Sequence, residues 1–455
     1  MGVPRTPTAR DLAAAILLEE ERKRTRIRDL LASRRAGLPD SRDRGLLTEV
    51  AYGVVRRKGT LDAVLAPRSR RPIARLSGPV RTALRLALYQ VLFLDRVPAH
   101  AAVDHAVSWV RRGGGAKAAG YVNAVLRASV AQVQGPALGK EDPRRDVPRE
   151  DGSAIRLRDV TFADPASDLT KNLAARYSCP RWLVARWLEL FGEERTRAAL
   201  RVGIMRPPLS LRARGSRDDL YHALKEAGAS VRAGHVDTAL LVEGTGESAA
   251  LAAVQRGEAW VQDGTAQRVA PLLRPERGQR VLDLCAAPGG KTLHLADLLE
   301  GQGEVVACDV ESEKVEGLRE LAAHVRGDVR FEVRQIEREG ELPFEPASFD
   351  AVLVDAPCTN TGVLRRRVEV RWRLKPEDIG ALAEIQRDLL ERALPLVKPG
   401  GRLVYTTCSL EPDENEAVAA AFFAAHEDAL EREHTLEAPA GRDADGGFAA
   451  VFLRT

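Results

Sequence analysis

Two cysteines in the C-terminal half of the chain stand in similar surroundings. Cys358 follows the apolar run 351–355, Cys408 follows the apolar run 402–406, and turn-forming residues flank both. A single cysteine beside a strand is usually a small buried hydrophobe. Two cysteines that follow strands on one edge of a sheet favour chemistry instead, because a thiolate is a strong nucleophile. Asp355, which ends the first run, adds a carboxylate that can hold or move a proton there.

A third stretch has the residue types that bind a ligand through the backbone. Residues 281–292 read Val-Leu-Asp-Leu-Cys-Ala-Ala-Pro-Gly-Gly-Lys-Thr, which predicts a strand, a turn of small residues and a helix beginning near Lys291. Small residues let the backbone approach a ligand, and a helix N-terminus offers free N–H groups to a carboxylate or phosphate. The ending is similar to a P-loop, but that motif requires glycine where this chain has Cys285. Asp309, at the end of the next predicted strand, is the kind of acid that binds ribose hydroxyls.

The elements that position these residues form a repeating pattern of strand, turn and helix from residue 271 onward. Alternation of this kind predicts a mainly parallel sheet with helices on both faces, a Rossmann-like α/β domain over 271–455. Ligands of such sheets bind at the carboxyl ends of the strands, where both cysteines, Asp355 and the glycine turn would meet. The predicted strands are 281–285, 304–309, 329–334, 351–355 and 402–406.

The rest of the chain predicts two further domains and a connection between them. Residues 1–134 predict an all-α domain, and residues 169–270 mix helical and strand patterns and predict a small α+β module. Residues 135–168 are rich in charge, proline and glycine and have no apolar period, so we interpret them as a linker or a mobile loop. The helical patterns of the first domain cover 10–34, 44–64, 79–94, 98–110 and 118–132, with the glycines at 113–115 ending the fourth.

Composition narrows the class of protein. The chain has 455 residues, 44% of them hydrophobic and 29% charged, which is typical of a soluble protein with several domains. No apolar run approaches the ~18 residues that span a bilayer, and Met1-Gly2 with Thr6 matches only the bare myristoylation pattern. A net charge of +4 permits a polyanionic partner without requiring one. Five scattered cysteines without metal-ligand spacing indicate reduced cytosolic thiols and no metal site.

Together these motifs resemble the RNA cytosine-5 methyltransferases, and nearly the whole chain is similar to the bacterial RsmB branch of 16S ribosomal RNA enzymes. The resemblance implies a NusB-like RNA-binding domain at 1–134, an RNA-binding module at 169–270 and a methyltransferase domain at 271–455 that depends on S-adenosylmethionine. The N-terminal stretches that are similar to the NusB-like domain are 42–57, 88–90, 97–103 and 121–127.

The resemblance also implies a mechanism in which the methyl group reaches carbon 5 of cytosine through a covalent cysteine–cytosine intermediate. Cys408 would be the nucleophile, and Cys358 would assist product release by helping to remove the carbon-5 proton. Asp355 would bond the polar edge of the base. Because an ordinary thiol is only a few per cent ionised at neutral pH, Cys408 needs help, and Lys291 and the cationic cofactor are candidates for lowering its pKa.

The same resemblance assigns the cofactor contacts and the RNA contacts. The family has an aspartate after the third strand, where this chain has Glu337, and Asp328 is the alternative if the register differs. Arg365 and Arg366 would contact RNA, although residues 367–369 depart from the usual His-Pro-Asp of the family. The expected cofactor contacts are Cys285, Ala286, Ala287, Pro288, Gly289, Gly290, Lys291, Asp309, Glu337 and Asp355.

Alternatives remain for the function. The expected substrate is 16S ribosomal RNA, with transfer RNA as the runner-up, and the NusB-like N-terminal half decides between them. A catalytically inactive ribosome-assembly or RNA-binding factor is the alternative from the binding class, and a P-loop hydrolase is disfavoured by Cys285. The expected protein is a cytoplasmic monomer with an RNA partner, no metal and no membrane association.

Overall fold

The computed structural model of the protein describes residues 7–455. Residues 1–6, which include Met1-Gly2 and Thr6 of the myristoylation pattern, lie outside the described residues. Contacts divide the chain into two compact units, the first comprising residues up to Arg206 together with Leu364–Arg373, and the second Pro207–Val363 together with Leu374–Thr455. Within the described part of the chain, no helix has the length and apolar composition that a membrane span requires.

The first unit begins with helices, as the apolar spacing predicts. Two predicted helices are each divided, because Arg24 has a left-handed conformation (φ 56°) and Arg57 is also non-helical. Gly115 (φ 76°) interrupts the last helix in the run of glycines that was predicted to end one. The helices are α1 (Ala9–Lys23), α2 (Ile27–Arg35), α3 (Ser41–Arg56), α4 (Lys58–Leu65), α5 (Gly78–Phe93) and α6 (Ala99–Val130).

Residues 135–168, predicted to be a linker or a mobile loop, form a small antiparallel sheet instead. Its strands have the order β1-β3-β2. Val147 and Ile155 are buried in the core of the helical unit, and the buried carboxylate of Asp146 pairs with Arg156. A few buried side chains among many charged residues produce no apolar period, so the sequence pattern did not predict these strands. The bounds are β1 (Val133–Pro136), β2 (Asp146–Pro148) and β3 (Ala154–Leu157), followed by helices α7 (Leu169–Arg176) and α8 (Arg181–Ile204).

The second unit opens with a four-stranded antiparallel sheet of order β5-β6-β4-β7. The succession of strands and helices is the βαββαβ pattern of ferredoxin-like modules. The mixed strand and helix patterns of residues 169–270 predicted an α+β module of this kind. The elements are β4 (Leu209–Ala213), α9 (Arg217–Glu226), β5 (Ser230–Ala233), β6 (Ala239–Glu243), α10 (Glu247–Gln255) and β7 (Ala259–Val261).

A seven-stranded mixed sheet follows, with the order β10-β9-β8-β11-β12-β14-β13. The five predicted strands are confirmed, and they are the five that run parallel. The last two strands form an antiparallel hairpin that extends the sheet beside β12. The strands are β8 (Arg280–Asp283), β9 (Gln302–Asp309), β10 (Asp328–Gln335), β11 (Phe349–Asp355), β12 (Val397–Thr407), β13 (Leu430–Ala438) and β14 (Gly447–Arg454).

Apolar side chains cover both faces of this sheet. Leu282 and Val352 belong to the core on one face, and Val281 and Leu353 to the core on the other. Burial on both sides explains why the parallel strands are almost continuous apolar runs. The remaining helices are α11 (Gly264–Gln267), α12 (Gly290–Leu298), α13 (Ser312–Glu320), α14 (Val370–Arg373), α15 (Pro376–Ala393) and α16 (Glu416–Ala425).

Residues Leu364–Arg373 pack into the helical unit. Val368 lies in its core, and Trp372 Nε1 donates a hydrogen bond to the carbonyl of Val55 at 2.8 Å. Arg371 is 1% exposed and donates to the carbonyls of Ser178, Gly203 and Leu364, at 3.2, 2.7 and 2.8 Å. This segment, six residues beyond Cys358, is therefore part of the folded core of the first unit.

Candidate active site

The topology of the large sheet brings the predicted residues to one edge. The chain order reverses between β8 and β11, and in doubly wound sheets the ligand crevice lies at such a switch point. The glycine turn leaves β8 on one side of this point, and the loop that bears Cys358 leaves β11 on the other. Asp355 is paired with Thr406 on β12, so the loops that bear Cys358 and Cys408 begin at the same level.

The two predicted catalytic thiols face each other. The Sγ atoms of Cys358 and Cys408 are 3.3 Å apart, and Cys408 Sγ also lies 3.3 Å from Asn360 Oδ1. Cys358 is buried, whereas Cys408 is partly exposed. The loops approach so closely at Gly362 that a Cβ there would lie 2.8 Å from the carbonyl oxygen of Cys408. Spacing alone predicted that the two thiols lie at the same edge of the sheet, and in the structure they are in direct contact.

The electrostatic surroundings distinguish the two thiols. The hydrogen bond with Cys408, burial and the negative charge of a Cys408 thiolate all raise the pKa of Cys358 well above its usual value. Cys358 is therefore a thiol that resists ionisation. Burial also raises the pKa of Cys285, and it raises that of Cys308 to about 12, so these two thiols are inert.

Lys291 and Asp355 form an ion pair across the crevice, with Nζ 2.7 Å from Oδ2. Burial opposes the charged ammonium, but the carboxylate of Asp355 outweighs it and raises the pKa of Lys291, and the charge of Cys408 adds to this effect. Lys291 is therefore held as a cation that interacts electrostatically with Cys408. Thr292 donates to Asp283 at 2.7 Å, so the lysine and threonine that a P-loop needs for phosphate and Mg²⁺ are both engaged by carboxylates.

The turn after β8 has the geometry of a ligand cradle. Gly289 has φ 101°, and a Cβ there would lie 2.1 Å from Leu321 Cδ1, so only glycine fits. No side chain caps helix α12, which begins at the next residue, and its first amide N–H groups are left to bind an anion. The carboxyl groups of Asp283 and Asp309 lie at the ends of β8 and β9. Amide donors beside carboxylates suit a ligand with a carboxylate and a positive charge.

The structure decides between the two acids proposed for the third strand. Gln335 is paired with Asp309, and the backbone N–H of Ile336 donates to the carbonyl of Asp309 at 3.1 Å, so Glu337 follows β10 at the crevice edge. Asp328 begins β10 and is paired with Gln302, at the opposite edge of the sheet. The alternative register with Asp328 is therefore wrong. Glu337 is exposed, and its role toward the cofactor stays a prediction.

Sequence reasoning missed Asp283. Its side chain is fully buried, burial followed by the charge of Asp355 raises its pKa to about 7, and its Oδ1 atom has no hydrogen-bond partner in the described residues. A carboxyl group that lies beside a crevice and has a pKa near 7 is a recognised mark of a functional site. The available signal was an acid inside the apolar run Val281–Leu284.

The two arginines expected to contact RNA differ in exposure. Arg365 is 1% exposed, which contradicts the prediction that it lies on an RNA-binding surface. Arg365 belongs to the first unit, where Arg56 donates to the Arg365 backbone carbonyl at 3.3 Å. Arg366 is half-buried, and its contact with RNA stays a prediction. In the described residues, no cluster of His, Cys, Asp and Glu has the arrangement to hold a metal ion.

Comparison with known proteins agrees with this geometry. The model of the family described as 16S rRNA methyltransferase RsmB/F matches residues 270–451. The NusB family model matches 7–131, and a ferredoxin-like domain model of RsmF/B-like methyltransferases matches 179–247. A probable ribosomal RNA small subunit methyltransferase B from Bacillus subtilis (strain 168) is 33% identical over 428 residues, which cover 92% of this chain and 89% of that protein. The chain belongs to the RsmB/F family.

Further relatives and solved structures agree with this membership. A ribosomal RNA small subunit methyltransferase B from Pseudomonas putida is 34% identical, covering 89% of this chain and 87% of its own length. The crystal structure of PH0851 has the same fold, with a TM-score of 0.75, 24% identity and coverage of 99% of both chains. A methyltransferase homolog from Pyrococcus horikoshii covers 63% of this chain and 99% of its own, with a TM-score of 0.52 and 25% identity. The protein is thus an rRNA methyltransferase of the class that depends on S-adenosylmethionine.

We expect the affinity for S-adenosylmethionine to rise several-fold from about pH 6 to about pH 7.5. Burial raises the pKa of Asp283 to about 7, and only its ionised form attracts the positively charged cofactor. Calorimetric titration across this range measures the effect, with Asp283→Asn as the comparison. A variant that binds as tightly and keeps the same pH dependence would show that Asp283 has no part in binding.

Proposed function

We propose that the protein transfers a methyl group to carbon 5 of a cytosine in 16S ribosomal RNA, with Cys408 as the nucleophile. The observation that supports this best is the pair of thiols 3.3 Å apart at the carboxyl ends of β11 and β12. Carbon 5 of an aromatic pyrimidine is a poor nucleophile, and addition of a thiolate to carbon 6 makes it electron-rich. An enzyme of this type therefore needs one ionised thiol and one group that moves a proton.

Attack begins when the Cys408 thiolate adds to carbon 6 of a cytosine that has left its stack. A sulfur–carbon bond forms, the double bond between carbons 5 and 6 opens toward carbon 5, and charge develops on the polar edge of the ring. Asp355 and Lys291, joined at 2.7 Å, would hold a proton at that edge and stabilise the charge. When bound, S-adenosylmethionine supplies the methyl group, and the turn 285–291 with Asp309 and Glu337 would hold it.

Release requires the carbon-5 proton to leave while the bond between Cys408 and carbon 6 breaks. The hydrogen bond to the Cys408 sulfur and the charge of its thiolate both raise the pKa of Cys358. The charge disappears once the Cys408 sulfur is bonded to carbon 6, and the pKa of Cys358 falls. We propose that Cys358 then ionises and accepts the carbon-5 proton, and that Cys408 leaves as the thiolate.

The substrate assignment depends on the N-terminal half. We propose that the NusB-like region within residues 1–134 and the module within 169–270 bind RNA and select 16S ribosomal RNA over transfer RNA. The relatives from Bacillus subtilis and Pseudomonas putida are both named as small subunit methyltransferases. An inactive assembly factor would have no need for two apposed thiols beside a half-buried ion pair, so the geometry favours the enzyme.

Transfer of tritium from labelled S-adenosylmethionine tests this proposal. Unmodified 16S ribosomal RNA, transfer RNA and reconstituted small-subunit particles are incubated with the full-length protein, and the labelled nucleoside is identified after digestion. We expect 5-methylcytosine in 16S ribosomal RNA. Label only in transfer RNA would overturn the substrate assignment, and label in another base would overturn the chemistry. Cofactor binding without transfer to any of the three would favour the assembly factor.

A further inference from the structure

Glu414 lies directly beneath the two thiol loops. Its side chain is fully buried, and no part of the proposed chemistry uses it. Oε1 accepts the backbone N–H of Thr359 at 2.8 Å, and Oε2 accepts the hydroxyl of Ser409 at 2.6 Å and that of Thr359. Thr359 follows Cys358 and Ser409 follows Cys408. One carboxylate therefore binds the residue next to each thiol.

A third element reaches the same carboxylate. Gln386 on helix α15 donates to Glu414 Oε1 at 3.1 Å and to the carbonyl of Pro357 at 2.9 Å. The hydroxyl of Tyr405 on β12 donates to the backbone carbonyl of Glu414 at 2.5 Å. Hydrogen bonds through Glu414 and Gln386 thus connect strand β12, helix α15 and the loop of Cys358. The same network includes Ser409, the residue after Cys408.

The hydrogen bonds require both carboxylate oxygens of Glu414, Oε1 and Oε2, to act as acceptors. Four donors converge on the two oxygens, and an ionised carboxylate accepts on both whereas an amide would turn a donor toward them. Burial raises the pKa of Glu414, and the donors from Ser409 and Thr359 work against that shift. A buried charge with this many partners is strongly disrupted when its acceptor capacity is removed.

We propose that Glu414 is a positioning residue that holds Cys358 and Cys408 in register for attack and release. The inference rests on the proposed roles of the two thiols. Glu414 contacts neither RNA nor cofactor in the proposed mechanism, and it acts through Thr359 and Ser409. Without it the loops would separate, and misplacement of reacting groups by about 1 Å costs on the order of 100-fold in rate.

Glu414→Gln tests the proposal because it keeps the size of the side chain and removes one acceptor. We expect kcat to fall about 10- to 100-fold while the KM for S-adenosylmethionine changes little. The second readout needs no methyl transfer. Diamide oxidises two adjacent thiols to a disulfide and is itself reduced to the hydrazine, and mass spectrometry follows the crosslinking of Cys358 with Cys408. We expect rapid crosslinking in the wild type and slow crosslinking in Glu414→Gln.

Glu416→Gln is the matched control, since it makes the same change two residues away, where Glu416 pairs with Arg432 at 3.0 Å on the surface. Should Glu414→Gln not fold, Ser409→Ala and Thr359→Val each remove one donor and should slow crosslinking separately. Unaltered crosslinking in these variants, or an equal loss in Glu416→Gln, would overturn the proposal. If the wild type methylates no RNA, the proposed function fails, but the crosslinking rates still decide the role of Glu414.

Discussion

We expect Cys408→Ala to abolish methyl transfer, with kcat lowered at least about 10⁴-fold, while S-adenosylmethionine still binds. The loss is large because no other group can add to carbon 6. Cys358, 3.3 Å away, is buried and held protonated, and Cys285 and Cys308 are inert through burial. Lys291 is held charged by Asp355, so its amine is no substitute nucleophile.

Single-turnover transfer of tritium to 16S ribosomal RNA measures this effect, and the cofactor-induced rise in melting temperature shows that the variant still binds its cofactor. Cys179→Ala is the control, because Cys179 is buried in the first unit and has no part in the proposed chemistry. Cys408→Ser should be equally inactive, since a hydroxyl is a far weaker nucleophile than a thiolate at neutral pH. Activity within tenfold of the wild type in Cys408→Ala would exclude the covalent mechanism.

The candidate site was predictable where chemistry follows the ends of strands. The parallel strands are continuous apolar runs because both faces of the sheet are buried, and the reactive residues come directly after them. A parallel sheet places such residues on one edge, so Asp309, Asp355, Cys358 and Cys408 could be grouped without coordinates. The 3.3 Å contact between the thiols was not predictable, because it depends on how the two loops fold after the strands end.

Sequence reasoning missed or misplaced the charged residues whose side chains are buried. Arg365 stands in a run of arginines that is typical of a solvated loop, yet its side chain is buried. Glu414 stands in an acidic stretch, 411–416, near the start of helix α16 and is fully buried beneath the thiols. A charged side chain is buried only when distant partners satisfy it, and local sequence carries no record of those partners.

Cys358→Ala should trap the protein covalently on its RNA substrate. Attack by Cys408 does not require Cys358, because the Cys408 thiolate, the Lys291–Asp355 pair and the cofactor turn all remain. Release does require it in our proposal, since the carbon-5 proton must leave as the bond between Cys408 and carbon 6 breaks. We therefore expect transfer of about one methyl group for each enzyme molecule and little turnover afterwards.

The trapped species can be measured directly, because tritium from the methyl group would migrate with the protein in a denaturing gel. Nuclease digestion would shorten the attached RNA but leave the labelled fragment bound to the protein. The double variant Cys358→Ala/Cys408→Ala is the decisive control, since it lacks the sulfur that forms the bond and should give no labelled band. Multiple turnover by Cys358→Ala would show that another base removes the proton. A labelled band in the double variant would show that the adduct does not form at Cys408. With the thiols 3.3 Å apart, removal of either one probes a different half of the proposed reaction: loss of Cys408 should prevent the bond from forming, and loss of Cys358 should prevent it from breaking.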